Sequence, residues 1–133
     1  MRRVDPHTPL VTVVMTCYNS SKTIARAIES VHQQLYKNIE LIVVDDASTD
    51  ETLKIVQDSK DIWRKETISG RKRILRIITS KKNYGTYICR NYAIRHSRGS
   101  YITFHDSDDI SSPFYVLKLV NQLRKNRDAK ISV

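Results

Sequence analysis

Two stretches constrain the fold more than anything else in the sequence: "LVTVVMTC" (10–17) and "IELIVVDD" (39–46). Both are near-continuous runs of apolar and β-branched residues. A strand with one wet face alternates apolar with polar residues. An unbroken run belongs to a strand covered on both faces, as in parallel sheets with helices on each side. Helical spacing fills the gap between the two runs. In "SSKTIARAIESVHQQL" (20–35), apolar residues recur at Ile24, Ala27, Ile28, Val31 and Leu35, with Ser20 or Ser21 available as N-cap.

The alternation continues. "STDETLKIVQDS" (48–59) opens with Ser48 and Glu51 at capping-box spacing, and Leu53, Val56 and Trp63 extend one helical face. The charged stretch 59–73, which contains Gly70, reads as a helix end and a loop. "ILRIITS" (74–80) is a third strand, "TYICRNYAIRHSR" (86–98) a third helix ended by Gly99, and "YITFHD" (101–106) a fourth strand. Ser112 followed by Pro113 places an N-cap before a proline at the first helical position. The helix that follows carries Tyr115, Leu119 and Leu123, and "KISV" (130–133) reads as a fifth strand just begun. Strands alternating with helices build βαβ units with right-handed crossovers. The expected class is therefore α/β, an open, mainly parallel sheet flanked by helices. At 133 residues the chain suits one domain, expected over 9–133 behind an N-terminal tail, 1–8.

Composition narrows the function classes. No apolar run reaches the ~20 residues of a membrane helix, and "MRRVDPHTP" lacks the apolar stretch of a signal peptide. Cys17 and Cys89 are far apart without metal spacing, so free thiols and a cytoplasmic setting are expected. The net charge is +9. Residues 54–98 hold thirteen Lys/Arg and three Asp/Glu, a block of +10, which leaves −1 for everything else. Such a block meets nucleic acid, an anionic membrane face or a phosphorylated ligand, or is simply a set of solvated helix faces. No RNA-binding signature, helix-turn-helix pattern or zinc knuckle is present, so nucleic acid is not the expected partner.

In open parallel sheets, ligands bind beyond the carboxyl ends of the strands. Three strands end in polar sequence that would converge there: "TCYN" (16–19), "DDAS" (45–48) and "HDSDD" (105–109). The GxGxxG fingerprint and the GxxxxGK[ST] phosphate loop are both missing after the first strand, where the turn reads "CYNSSKT". A phosphatase of the DxDx[TV] type would carry its aspartates after the first strand, and a receiver domain would order its acids and lysine differently. What remains is a carboxylate cluster (Asp106, Asp108, Asp109) beside Tyr18 and the pair Asp45 and Asp46. Hard oxygen ligands select Mg²⁺ or Mn²⁺, and magnesium is typically held by one or two carboxylates plus substrate phosphates. The alternative is an acid cluster favoured by the dipole of the helix that starts near 113.

Four segments, from about residue 9 to the end, resemble the family-2 glycosyltransferases of the GT-A fold: "VTVVMTCYNSSKTIARAIESVHQQ", "IELIVVDDASTDET", "NYGTYICRNYAI" and "GSYITFHDSDDISSP". The resemblance implies a truncated GT-A sheet, ending after the DxD region, that binds a nucleoside-diphosphate sugar, with UDP as the favoured nucleotide. It puts Thr16 and Tyr18 at the nucleotide end of the first strand, with Tyr18 packed on the base and Asp46 hydrogen-bonded to it. Asp106 matches the first acid of the DxD motif, near ribose and metal, and Asp108 the direct metal ligand. Asp109 either extends the motif or caps the next helix. Asn83, Gly85, Arg90 and Asn91 match "NxGxxxxRN", which places Arg90 near the diphosphate. Ala93 stands where the family often has glycine.

The implied reaction is metal-dependent sugar transfer to a saccharide or lipid-linked hydroxyl, with inversion, using Mn²⁺ or Mg²⁺. The resemblance puts the general base and the acceptor site beyond Val133. Peripheral contact with the inner face of the cell membrane and a homodimer are further expectations. The rival readings are a nucleotidyltransferase-like enzyme, which would want a glycine-rich basic loop after the first strand, and a non-enzymatic basic module.

Overall fold

The computed structural model describes residues 8–65, 73–126 and 128. Four strands form one sheet: β1 (Val11–Cys17), β2 (Ile39–Asp45), β3 (Arg73–Thr79) and β4 (Tyr101–Phe104). Four helices alternate with them: α1 (Ile24–His32), α2 (Thr52–Lys65), α3 (Thr86–His96) and α4 (Tyr115–Lys125). The strand order is β3-β2-β1-β4 and every pairing is parallel. Residues 1–7 of the expected tail (1–8), residues 66–72 of the stretch expected as a helix end and loop (59–73), and the "KISV" strand lie outside the described residues.

Side-chain alternation divides the sheet between two layers. Val11, Val13, Met15, Ile39, Leu41 and Val43 point to one face, where α1, α2 and α4 cover them through Ile24, Ile28, Val56, Trp63, Val116 and Val120. Val14, Ile42 and Val44 point to the other face, under Cys89 and Ala93 of α3. Cover on both faces is why β1 and β2 show no apolar–polar alternation. Burying a side chain such as Ile24 or Leu41 contributes roughly 1.5–3 kcal/mol. At the amino end of the α3 face, buried Glu40 takes Arg76 at 2.8 Å, and Arg76 also donates to the His96 carbonyl at 2.7 Å. The end of α3 is thereby tied to the sheet.

Several expected boundaries move, each for a local reason. Helix α1 starts at Ile24, not at residue 20, because Ser20 caps with its carbonyl: the amides of Thr23 and Ile24 donate to it at 3.0 and 2.9 Å. The helix stops at His32, so Leu35 leaves the buried face and is half exposed. Gln34 is buried instead. Its Nε2 donates to Ser112 O at 2.7 Å and its Oε1 accepts the Val116 amide at 3.0 Å, which fixes α1 against the start of α4. Helix α4 begins at Tyr115, one short turn after Ser112, whose hydroxyl accepts the Phe114 amide at 3.3 Å. Gly99 does not end α3, which finishes at His96. A Cβ at Gly99 would lie 2.6 Å from the Thr12 backbone nitrogen, so glycine is needed there for close approach to β1.

Strand order reverses beside β1: the chain runs β1-β2-β3 to one side and returns with β4 on the other. The crevice at such a reversal, beyond the carboxyl ends of the strands, is where open α/β sheets bind ligands. Here it is framed by the segments after β1, β2 and β4.

Candidate functional site

The segment after β1 turns sharply. Asn19 has φ 48°, a left-handed conformation that asparagine tolerates better than most residues. Its side-chain oxygen accepts the amides of Thr49 at 2.8 Å and Asp50 at 3.3 Å, and its own amide donates to Ser48 Oγ at 2.9 Å. The loops after β1 and β2 are therefore one unit. Ser48 spends its hydroxyl on this link, so the start of α2 relies on Asp50, which accepts the Thr52 amide at 2.9 Å. Asp50 also accepts the Ser21 amide at 3.2 Å. Its bond from the Thr52 hydroxyl, then those amides, hold its pKa down at about 2.

The paired aspartates at the end of β2 have separate tasks. Asp45 is buried and accepts the Ser48 amide at 3.3 Å, a structural role. Asp46, only 4% exposed, accepts the Tyr84 amide at 2.9 Å on one oxygen and the Gly85 amide at 2.8 Å on the other. Burial pushes its carboxyl up, but the two amides outweigh burial and its pKa lies below the usual 3.8. Gly85 has φ 90°, which brings its N–H round to the carboxylate.

After β4, the His105 amide donates to Val14 O at 2.9 Å and the Asp109 amide donates to Asp106 O at 3.2 Å. This turn brings carboxylate oxygens of Asp106, Asp108 and Asp109 within 4.8 Å of one another, all exposed. Ser107 Oγ lies 3.1 Å from Ser20 Oγ and joins the acidic turn to the loop after β1. Three converging oxygen donors open to solvent fit a hard divalent cation that keeps some of its waters.

A cavity of about 800 Å³ lies between these loops, and Thr16, Tyr18, Lys22, Asp46, Asp106 and Asp108 are among its walls. Five residues expected at the site are thus brought together. Tyr18 is half exposed on the wall of this cavity. Arg90 and Asp109 stand outside the walls. Arg90 Nη2 lies 3.2 Å from Asp106 Oδ1, and its guanidinium sits 5.0 Å from the centre of the Phe104 ring. The sequence reading passed over Asn19, Asp50 and Lys22. Only Lys22 carried a signal, as a cation five residues past the end of a strand that feeds the site.

This geometry can be set beside known proteins. The glycosyl transferase family 2 profile matches residues 12–132. The chain belongs to that family. It is 37% identical over 124 residues to the UDP-Glc:alpha-D-GlcNAc-diphosphoundecaprenol beta-1,3-glucosyltransferase WfaP of Escherichia coli, a match covering 92% of this chain and 43% of that protein. Among solved structures, S. aureus TarS 1-349 in complex with UDP superimposes with TM-score 0.75 at 28% identity, over 89% of this chain and 33% of TarS. The mannosyltransferase PcManGT of Pyrobaculum calidifontis, in complex with GDP-Man and Mn²⁺, gives TM-score 0.77 at 25% identity, over 86% of this chain and 32% of that one. The sheet and its flanking helices are those of the GT-A fold. This family 2 chain spans about two-fifths of the length of WfaP and a third of the two structures.

Proposed function

We propose that this chain forms the donor-binding part of a glycosyltransferase that moves a sugar from a nucleoside-diphosphate sugar, with UDP as the nucleotide, to a saccharide or lipid-linked hydroxyl. The observation that carries the reading is the cavity at the strand-order reversal, with Tyr18 on one wall and the Asp106–Asp109 turn on another. Tyr18 supplies a stacking face for the base. Asp46, held in place by the Tyr84 and Gly85 amides, accepts a base N–H. Thr16 and Asp106 lie along the path towards the ribose. Lys22 and Arg90 supply positive charge for the diphosphate.

Asp108 and Asp106 would hold Mn²⁺ or Mg²⁺, which supplies Lewis-acid stabilisation of the departing diphosphate. Support for UDP and for a lipid-linked acceptor comes from the name of WfaP and the UDP complex of TarS; support for Mn²⁺ comes from the PcManGT complex. Displacement with inversion also needs a general base at the acceptor hydroxyl. We assign that role to none of the described residues. A nucleotidyltransferase is disfavoured because the loop after β1 holds no glycine and is shaped by Asn19 instead.

The test is a thermal-shift panel of UDP, GDP, dTDP and ADP, each with Mn²⁺. UDP should raise the melting temperature most. An equal response to all four, or none to any, would remove the nucleotide assignment.

A further inference from the structure

Helix α3 is oddly dressed for a helix lying on a sheet. Only Cys89 and Ala93 are buried, while Tyr87 is 81% and Ile88 56% exposed. Tyr84 and Tyr92 are also about half exposed, and with Ile88 and Ile78 they wall an apolar groove of about 350 Å³ that Lys81 also lines. Contiguous exposed apolar surface of this kind marks a contact surface. The sequence that carries it is basic: from Thr67 to His105 it has nine Lys/Arg and no Asp/Glu, and of these Arg76 and Arg90 are paired with Glu40 and Asp106. Lys81, Lys82, Arg95 and Arg98 of that stretch are exposed.

We infer that the outer face of α3 and the turn before it form a docking surface for an anionic phospholipid bilayer. The chemistry fits each part. Tyrosine rings with a polar tip settle at the depth of lipid headgroups, and Ile88 reaches the acyl boundary. Lysine and arginine stems extend along apolar surface while their charges meet lipid phosphates. Charge complementarity selects the occupant: a neutral apolar partner has no use for this basic surround. The same turn is bound to the site, because Asp46, a cavity wall, takes the amides of Tyr84 and Gly85. A bilayer seated on α3 therefore borders the cavity. The inference does not depend on the transferase reading.

The test is flotation of the full chain with vesicles of equal parts phosphatidylglycerol and phosphatidylcholine, and with phosphatidylcholine alone, at low and high salt. Binding to the anionic vesicles should exceed binding to neutral ones by about tenfold or more and be lost at high salt. The Tyr87→Ser/Ile88→Ser double variant should lose about tenfold in partition with its melting temperature unchanged, because both side chains are exposed. Lys81→Gln and Arg95→Gln should each lose about fivefold. Equal binding to neutral vesicles, no vesicle binding, or full retention in the Tyr87→Ser/Ile88→Ser variant would overturn the inference. So would capture of a single-stranded oligonucleotide with the vesicles left unbound.

Discussion

Arg90 Nη2 lies 3.2 Å from Asp106 Oδ1, at the edge of the acidic turn that would hold a cation. The arginine occupies part of the charge that metal would use. Both side chains are substantially exposed (31% and 60%), so solvent screens the pair and it contributes about 0.5 kcal/mol or less to folding. Arg90→Gln should leave the melting temperature nearly unchanged and tighten binding of Mn²⁺ alone severalfold, because a competing positive charge is gone. Calorimetric titration with Mn²⁺ in the absence of nucleotide reads this directly. Weaker Mn²⁺ binding in the variant would show that the pair pre-orients Asp106 instead of competing for it.

Asn19 joins two loops through one side chain. Asn19→Ala removes the acceptor for the Thr49 and Asp50 amides and puts a less tolerant residue at φ 48°. A loss of about 1–3 kcal/mol is expected in denaturant unfolding, together with weaker nucleotide binding. A variant as stable as the parent would mean that water replaces these bonds at no cost.

Gly85 and Gly99 should fail for different reasons. Gly99→Ala drives a methyl to 2.6 Å from the Thr12 nitrogen and 2.8 Å from the Tyr101 carbonyl, both backbone atoms that cannot give way. It should cost about 1–3 kcal/mol. Gly85→Ala meets no atom within 4 Å, yet the φ of 90° strains any side chain by about 1–2 kcal/mol. Substituting Asn, which tolerates positive φ, should recover part of the loss at 85 and none at 99. Melting curves of the four variants separate the two mechanisms.

Asp46 and Asp50 set an acid limit. Both carboxyls have pKa values below the usual 3.8, Asp50 at about 2. The unfolded chain therefore takes up protons first as pH falls. Their stabilisation is complete above about pH 4 and is lost progressively as pH drops towards 2. Unfolding measured across this window should show a shallower pH slope in Asp50→Asn than in the parent. An unchanged slope would assign the acid sensitivity elsewhere.

Cys89 is buried, and burial followed by the neighbouring Asp46 raises its thiol pKa to about 11; Cys17 is raised further, by burial and Asp45. Both should react with a disulfide reagent at pH 8 roughly 100-fold more slowly than free cysteine, until the chain is unfolded. Rapid labelling of either in the native protein would contradict their placement.

The parts legible in the sequence were those dictated by local pattern. The unbroken apolar runs of β1 and β2 announced cover on both faces, and the polar strand ends announced the site. What stayed hidden depended on contacts distant in sequence. Asn19 looks like an ordinary turn residue until it meets Thr49 and Asp50, about thirty positions away. Gly99 looks like a helix stop because the approach of β1 is not written near it. Two of the serines expected as N-caps have hydroxyls engaged with neighbouring loops, Ser20 with Ser107 and Ser48 with Asn19, so capping there fell to a carbonyl and to Asp50.

The central claim is that the Asp106–Asp109 turn and the adjoining cavity hold a nucleoside diphosphate through a divalent cation. Calorimetric titration with UDP, with and without Mn²⁺, in the parent and in Asp108→Asn tests it most directly. The expected result is UDP binding that tightens by about tenfold or more with Mn²⁺ in the parent and loses that gain in Asp108→Asn. UDP binding of equal strength without Mn²⁺, or an Mn²⁺ effect that survives in Asp108→Asn, would contradict it.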